Sequence, residues 1–153
     1  MIAELTVIST AFAMGAAIPA EYCCGRISPP LSWSGVPPGT QSIAILCDDP
    51  DAPRGDWVHW VLFNLPPDTT SLPAGMPVKA RWPNGALQGI TDYGRNGYDG
   101  PCPPPGRAHR YFFKVFALDR KLELEPAATK ADLLKAMNGH ILAQGHLMGT
   151  FRR

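Results

Sequence analysis

Neither sign of charge dominates this chain: 14 lysines and arginines stand against 13 aspartates and glutamates, with no run of like charge and no basic stripe. That balance leaves little electrostatic footprint for nucleic acid or for an anionic membrane surface, and no nucleic-acid partner is expected. No apolar stretch approaches the roughly 20 residues of a membrane-spanning helix, so no transmembrane segment is expected either. Internal repeats and low-complexity tracts are absent, which sets aside solenoids and propellers. The 17 prolines and 15 glycines are spread along the chain and punctuate short apolar runs without diluting them, a pattern of ordered loops and not of disorder. One domain spanning residues 1–153 follows.

Several chemistries lack their signatures. The four cysteines, at positions 23, 24, 47 and 102, do not form a second spaced pair to complete a tetrahedral metal site, so no metal and no cofactor is implied. Free, partly buried thiols are the expectation; if a disulfide forms, Cys24 and Cys102 are its partners, because both lie in Pro/Gly-rich loops. There is no G-x-S-x-G elbow, the serines gather in SPPLSWS (28–34), and Cys102 stands between prolines, so no nucleophile for catalysis presents itself and a binding protein is expected, with a hydrolase as the less favoured alternative. The N-terminal stretch MIAELTVISTAFAMGAAIPA ends in small residues as a signal peptide does, but it lacks a positive n-region and carries Glu4. It reads as a first strand over 4–9, with a signal peptide as the alternative. A cytoplasmic protein is expected, the periplasm being the alternative.

What the chain does have is strand periodicity. QSIAILC (41–47), WVHWVLFNL (57–65) and HRYFFKVFAL (109–118) are β-branched, aromatic or apolar runs bounded by Pro, Gly and Asp, with lengths that suit core strands. Shorter strands are expected over 77–82 and 140–151, while SPPLSWSGVPPGT (28–40) and FNLPPDTTSLPAG (63–75) read as ordered loops. One helix is expected after Thr129, with Asp132 completing a capping box, Leu133, Leu134 and Met137 as its apolar face and Gly139 as its stop. The class is mainly β: a large antiparallel sheet packed on a smaller sheet, with one or two peripheral helices.

Two of the strands repeat one arrangement. Alternation puts Trp57, His59, Val61, Phe63 and Leu65 on one face, and His109, Tyr111, Phe113, Val115 and Ala117 on one face of the other. Each strand opens near a histidine and follows a stiff polar loop, DDPDAPRGD (48–56) or GYDGPCPPPGRA (97–108). If the strands are close in one sheet, both loops and both histidines meet at one end. Carboxylates that orient an imidazole, glycine backbone that admits a ligand and prolines that fix the loop beforehand together describe a small rigid anion pocket.

DPDAP followed by a W-x-H strand, and GPCPPPG-x-A-HRYFF further on, resemble the two signature regions of the phosphatidylethanolamine-binding protein family, in particular its short bacterial branch. SPPLSWSGVPPGTQSIAIL and AMNGHILAQGHLMGTF resemble that branch as well. The resemblance implies a pocket for a phosphate-like anion or a phospholipid head group. It assigns Asp49, Asp51 and Pro53 from the first signature, Trp57 and His59 from the strand after it, Gly100 and Pro101 as rim, and His109 and Tyr111 as donors. It allows a protein partner as the alternative, with the module regulating a kinase or protease, and it suggests a homodimer.

Overall fold

The computed structural model describes residues 1–153. In chain order the elements are β1 (Ala3–Glu4), β2 (Thr6–Ile8), a 3-10 turn (Ala20–Tyr22), β3 (Leu31–Ser34), β4 (Ser42–Asp49), β5 (Trp57–Leu65), β6 (Ser71–Leu72), β7 (Leu87–Gln88), β8 (His109–Leu118), α1 (Lys130–Met137) and β9 (Ile141–Phe151). They form a six-stranded sheet in the order β1-β9-β8-β4-β5-β7 and a three-stranded sheet in the order β2-β3-β6. The fold is therefore mainly β, with a large sheet packed on a small one and a single α-helix. Pairing is antiparallel except where β1 lies parallel to β9.

All eight residues of β4 are buried, because the strand is central and covered on both faces. Ile43, Ile45 and Cys47 join Val7, Leu31, Trp33 and Leu72 of the small sheet in the main core. Ala44 and Leu46 face the other way and pack with Leu133 and Met137 of α1. That helix carries the expected capping box: the Thr129 side chain accepts from the Asp132 amide while the Asp132 carboxylate accepts from the Thr129 amide.

Four expectations about the strands need correction. The first strand is split: β1 pairs with β9 in the large sheet and β2 with β3 in the small one, and Leu5 between them turns its amide to the Gln144 carbonyl. The stretches 28–40 and 63–75 hold β3 and β6, which pair with each other across Leu31 and Leu72; a strand of two to four residues among prolines shows too short a period to read. Residues 77–82 form no strand beyond an isolated bridge from Arg81 to Leu87. Finally, β5 does not alternate cleanly. Its register against β4 slips between Cys47 and Asp48 and again between Ile43 and Ile45, which places Trp60, Leu62 and Leu65 in the main core and Val58, Val61 and Phe63 on the helix side. Two bulges thus break the single face expected for Trp57 to Leu65. At the second, Asn64 takes φ 60°, held there by its side chain, which donates to the Leu122 carbonyl and accepts from the Leu122 amide.

Candidate functional site

Strand direction brings the chemistry together. Both β5 and β8 run antiparallel to β4, so the starts of β5 and β8 lie beside the end of β4. Asp49 closes β4, His59 sits near the start of β5, and His109 opens β8. All three line one cavity of about 310 Å³ with Ala52, Pro53, Arg54, Trp57, Tyr93, Cys102, Pro103, Pro104 and Tyr111.

The cavity floor is a contiguous set of rings. Trp57 meets Tyr93 edge-on at 5.5 Å between centroids, Tyr93 meets His59 at 5.7 Å, His59 meets Tyr111 at 5.3 Å, and Tyr111 stacks on His109 at 6.5 Å. Both imidazoles are buried and anchored through Nδ1: His59 donates to the Asp99 carbonyl at 2.6 Å and His109 to Asp49 Oδ2 at 2.7 Å. A carbonyl oxygen and a carboxylate can only accept, which fixes the proton on Nδ1 and leaves Nε2 of each ring to the cavity. No fully buried side-chain nitrogen or oxygen lacks a partner, so these Nε2 atoms are not sealed away from the cavity.

Burial lowers the His59 pKa from its ordinary 6.5, an effect opposed by the bond to Asp99 and the negative charges of Asp49 and Asp99. Around neutral pH the ring is therefore neutral, with a bare lone pair at Nε2; a ligand that brings negative charge to that atom draws a proton onto it. Burial together with the neighbouring Asp49 raises the Tyr111 pKa, so its hydroxyl stays a donor.

The loops are fixed from within. Asp49 Oδ1 accepts from the Asp51 amide at 2.7 Å, closing the turn that carries Ala52 and Pro53 to the cavity. Asp92 and Val58 exchange two hydrogen bonds, from each amide to the other's carboxylate or carbonyl, and this clamp delivers Tyr93. The Asp99 carboxylate is buried between Arg95, Arg26 and Thr91. Its backbone is bonded to His59 twice, as acceptor for the ring and as donor to the His59 carbonyl.

Of the residues expected from sequence, Asp49, Pro53, Trp57, His59, His109 and Tyr111 lie in the cavity lining, and Asp51, Gly100 and Pro101 lie outside it. Asp51 turns outward and binds Arg110 through the amide, Nε and a terminal guanidinium nitrogen; those bonds push its carboxyl down to about 2. Pro101 offers its carbonyl to the Cys24 amide. Gly100 is placed by contact: a Cβ there would lie 2.4 Å from the Tyr22 carbonyl oxygen and 3.0 Å from that of Gly25. This close approach also explains a correction to the expected free thiols. With Gly100 donating to Gly25 and Cys24 donating to Pro101, the two loops run side by side, and Cys24 and Cys102 form a disulfide with Cα atoms 4.6 Å apart; Cys23 and Cys47 are free. Sequence reading missed Ala52, Arg54, Tyr93, Cys102, Pro103 and Pro104 as lining residues. The prolines and Cys102 lie inside the flagged loop, whereas Tyr93 has no local signal beyond the turn-forming T-D-Y-G.

The sequence pattern of the phosphatidylethanolamine-binding protein family matches residues 8–152. The chain belongs to that family. Similar relatives within reach of it include a UPF0098 protein of Methanothermobacter thermautotrophicus, 54% identical over 89% of this chain and 91% of that one, and a UPF0098 protein of Aquifex aeolicus, 48% identical over 99% and 90%. Among solved structures, E. coli YbcL, described as a member of the mammalian PEBP family, superposes with a TM-score of 0.90 at 33% identity, covering 99% of each chain. A phosphatidylethanolamine-binding protein homolog of Chlamydia trachomatis superposes with a TM-score of 0.88 at 41% identity over 98% of each chain. The fold is thus shared with experimentally solved proteins, and no helix of this chain is long and apolar enough to cross a membrane.

Proposed function

We propose that the cavity binds a small oxyanion of the phosphate type, free or carried on a phospholipid head group, and that it does so without a catalytic step. One observation carries this reading: two imidazoles, each held through Nδ1 by an acceptor, leave Nε2 at one floor beside the Tyr111 hydroxyl. Protonated imidazoles and a phenol are donors suited to an oxyanion. Trp57, Pro53, Pro103 and Pro104 give the cavity apolar walls, and the exposed Arg54 adds positive charge to its lining. The Asp49–His109 pair could also serve a general base, but the lining holds no serine or threonine, and its one cysteine is tied in the disulfide. A phosphorylated protein partner would present the same anion chemistry, so a protein-interaction role differs only in what carries the phosphoryl group.

The test is calorimetry with sulfate and with glycerophosphoethanolamine, whose phosphodiester avoids the second ionisation of a monoester near pH ~6. Because His59 is neutral until the pH falls below its ordinary range, binding takes up a proton and weakens as pH rises. Affinity at about pH 5.5 should exceed that at about pH 8.5 by about tenfold or more. Equal affinity at the two values would rule out imidazolium recognition.

A further inference from the structure

The cavity wall made by Cys102, Pro103 and Pro104 is anchored unevenly. Just before it, residues 96–101 are laced to residues 22–26: Tyr98 donates its hydroxyl to the Tyr22 carbonyl, Cys24 donates to Pro101, Gly100 donates to Gly25, and Arg26 reaches the carbonyls of Tyr98 and Asn96. From 102 to 108 this lacing stops. Three successive prolines supply no N–H, and the segment is held by the disulfide to Cys24 and by Arg153. The Arg153 guanidinium donates to the Pro103 carbonyl at 3.3 Å and lies 3.6 Å from Cys102 Sγ, while the Arg153 carbonyl accepts from Gly106.

The two sulfurs are not equivalent. Cys24 is an exposed residue and Cys102 a half-buried one in the cavity wall, which favours approach of an incoming thiolate from the Cys24 side. Cys24 also has φ 50°, a left-handed conformation that a residue with a Cβ adopts reluctantly and that its cross-link and its bond to Pro101 help hold. On the other side, the Arg153 cation favours Cys102 as a thiolate and hence as the better leaving group. The neighbouring free thiol, Cys23, is buried and pushed up to about 12, which removes it as a competing nucleophile.

We propose that Cys24–Cys102 is a thiol–disulfide exchange site that regulates the pocket, opened by a small dithiol reductant. The reductant's thiolate bonds to Cys24 Sγ, the Cys24–Cys102 bond breaks, and Cys102 leaves as a thiolate beside Arg153. The reductant's second thiol then displaces Cys24 and closes the oxidised, cyclic reductant. Two electrons and two protons pass to the protein, and both cysteines end as thiols. Residues 102–108 lose one of their two ties, the wall loosens, and the anion loses a preformed surface. By reciprocity, a bound anion that favours the closed wall protects the disulfide by the same factor. The effect on the pocket rests on the anion reading above; the exchange chemistry does not.

Brief exposure to the monothiol 2-mercaptoethanol, quenching with iodoacetamide and peptide mapping test the direction of attack. The expected product carries the mercaptoethanol adduct on Cys24 and the alkyl group on Cys102. Arg153→Gln should slow cleavage several-fold, and Arg153→Lys should restore it. In a second arm, the dithiothreitol-reduced protein should bind sulfate about tenfold more weakly than the oxidised protein, and saturating sulfate should shift the equilibrium with a dithiothreitol redox buffer about tenfold toward the disulfide. An adduct on Cys102, or a disulfide that resists dithiothreitol until the chain unfolds, would overturn the exchange site; unchanged sulfate affinity after reduction would overturn its regulatory role. Absence of sulfate binding in both redox forms would instead sink the anion reading and its coupling, while the adduct position would still decide the exchange site.

Discussion

His59→Ala is expected to weaken binding of sulfate or glycerophosphoethanolamine about ten- to hundredfold. A hydrogen bond to a charged group contributes about 1.5–3 kcal/mol, and about 1.4 kcal/mol is a factor of ten. His59 is the central ring of the floor, touching both Tyr93 and Tyr111, and its Nδ1 bond to the Asp99 carbonyl orients Nε2 without bringing a carboxylate onto the ring. His109 is different: its Nδ1 partner is the Asp49 carboxylate, whose negative charge offsets part of the attraction between the imidazole and an anion. His109→Ala should therefore cost less than His59→Ala, and so should Tyr111→Phe, which removes a neutral donor. His59→Gln separates charge from shape. It retains an amide donor but cannot become a cation, so the residual binding should lose one proton of its pH dependence. Calorimetry on the four variants checks the order; a His59→Ala protein that binds as tightly as the parent would leave the histidines as structural residues.

Gly100→Ala is expected to destabilise the protein by about 2–3 kcal/mol, the range of an overpacked core position. The added Cβ meets backbone on three sides, the carbonyl oxygens of Tyr22 and Gly25 and Cys23 Cα, the last at 3.1 Å. Backbone cannot rotate aside as a flexible side chain can, so the segment around 22–25 must separate from that around 98–102. The displacement reaches the cavity from two sides, through Asp99, which holds the His59 ring, and through the disulfide at Cys102. Anion affinity should therefore fall with stability, although Gly100 lines no part of the cavity. Gly25→Ala is the control: its Cβ would meet only the Cys23 carbonyl, at an ordinary 3.7 Å, and it should change stability by less than about 1 kcal/mol. Urea melts of the two variants make the comparison, and equal effects would contradict the close-approach account.

Gly100 also shows how far the sequence speaks. That a glycine stands before Pro101 in a stiff loop is visible in GYDGPCPPPG, and so is the suggestion that this loop shapes a pocket. That the glycine serves contact with residues 22–25 is not, because that contact joins segments more than 70 positions apart. The convergence of His59 and His109 was legible only on the condition that the two similarly opened strands share a sheet; the structure supplies the rest, since both run antiparallel to β4 between them and so start at one end. The disposition of β5 was not: its two bulges shift the side chains after His59, and the second depends on Asn64 meeting Leu122. Tyr93 escaped for the same reason, since Asp92 holds it in place by pairing with Val58, 34 residues away. Asp51 was legible as a loop carboxylate, but Arg110, one residue past His109, draws it outward. Local chemistry marked the loops and strands that build the cavity; long-range pairing decided which of their side chains face it.

The most direct test uses the chain's four histidines as reporters of one another. His59 and His109 line the cavity, whereas His140 pairs with Asp119 and His146 packs against Phe112 on the exposed part of the large sheet. Nitrogen-detected NMR of the imidazoles, recorded at about pH 6.5 while sulfate is added, resolves Nδ1 from Nε2 in each ring. The account predicts that sulfate moves the Nε2 signals of His59 and His109 toward the protonated form while those of His140 and His146 follow only ionic strength. Equal responses from all four rings, or a cavity pair that stays unmoved while sulfate saturates, would contradict it.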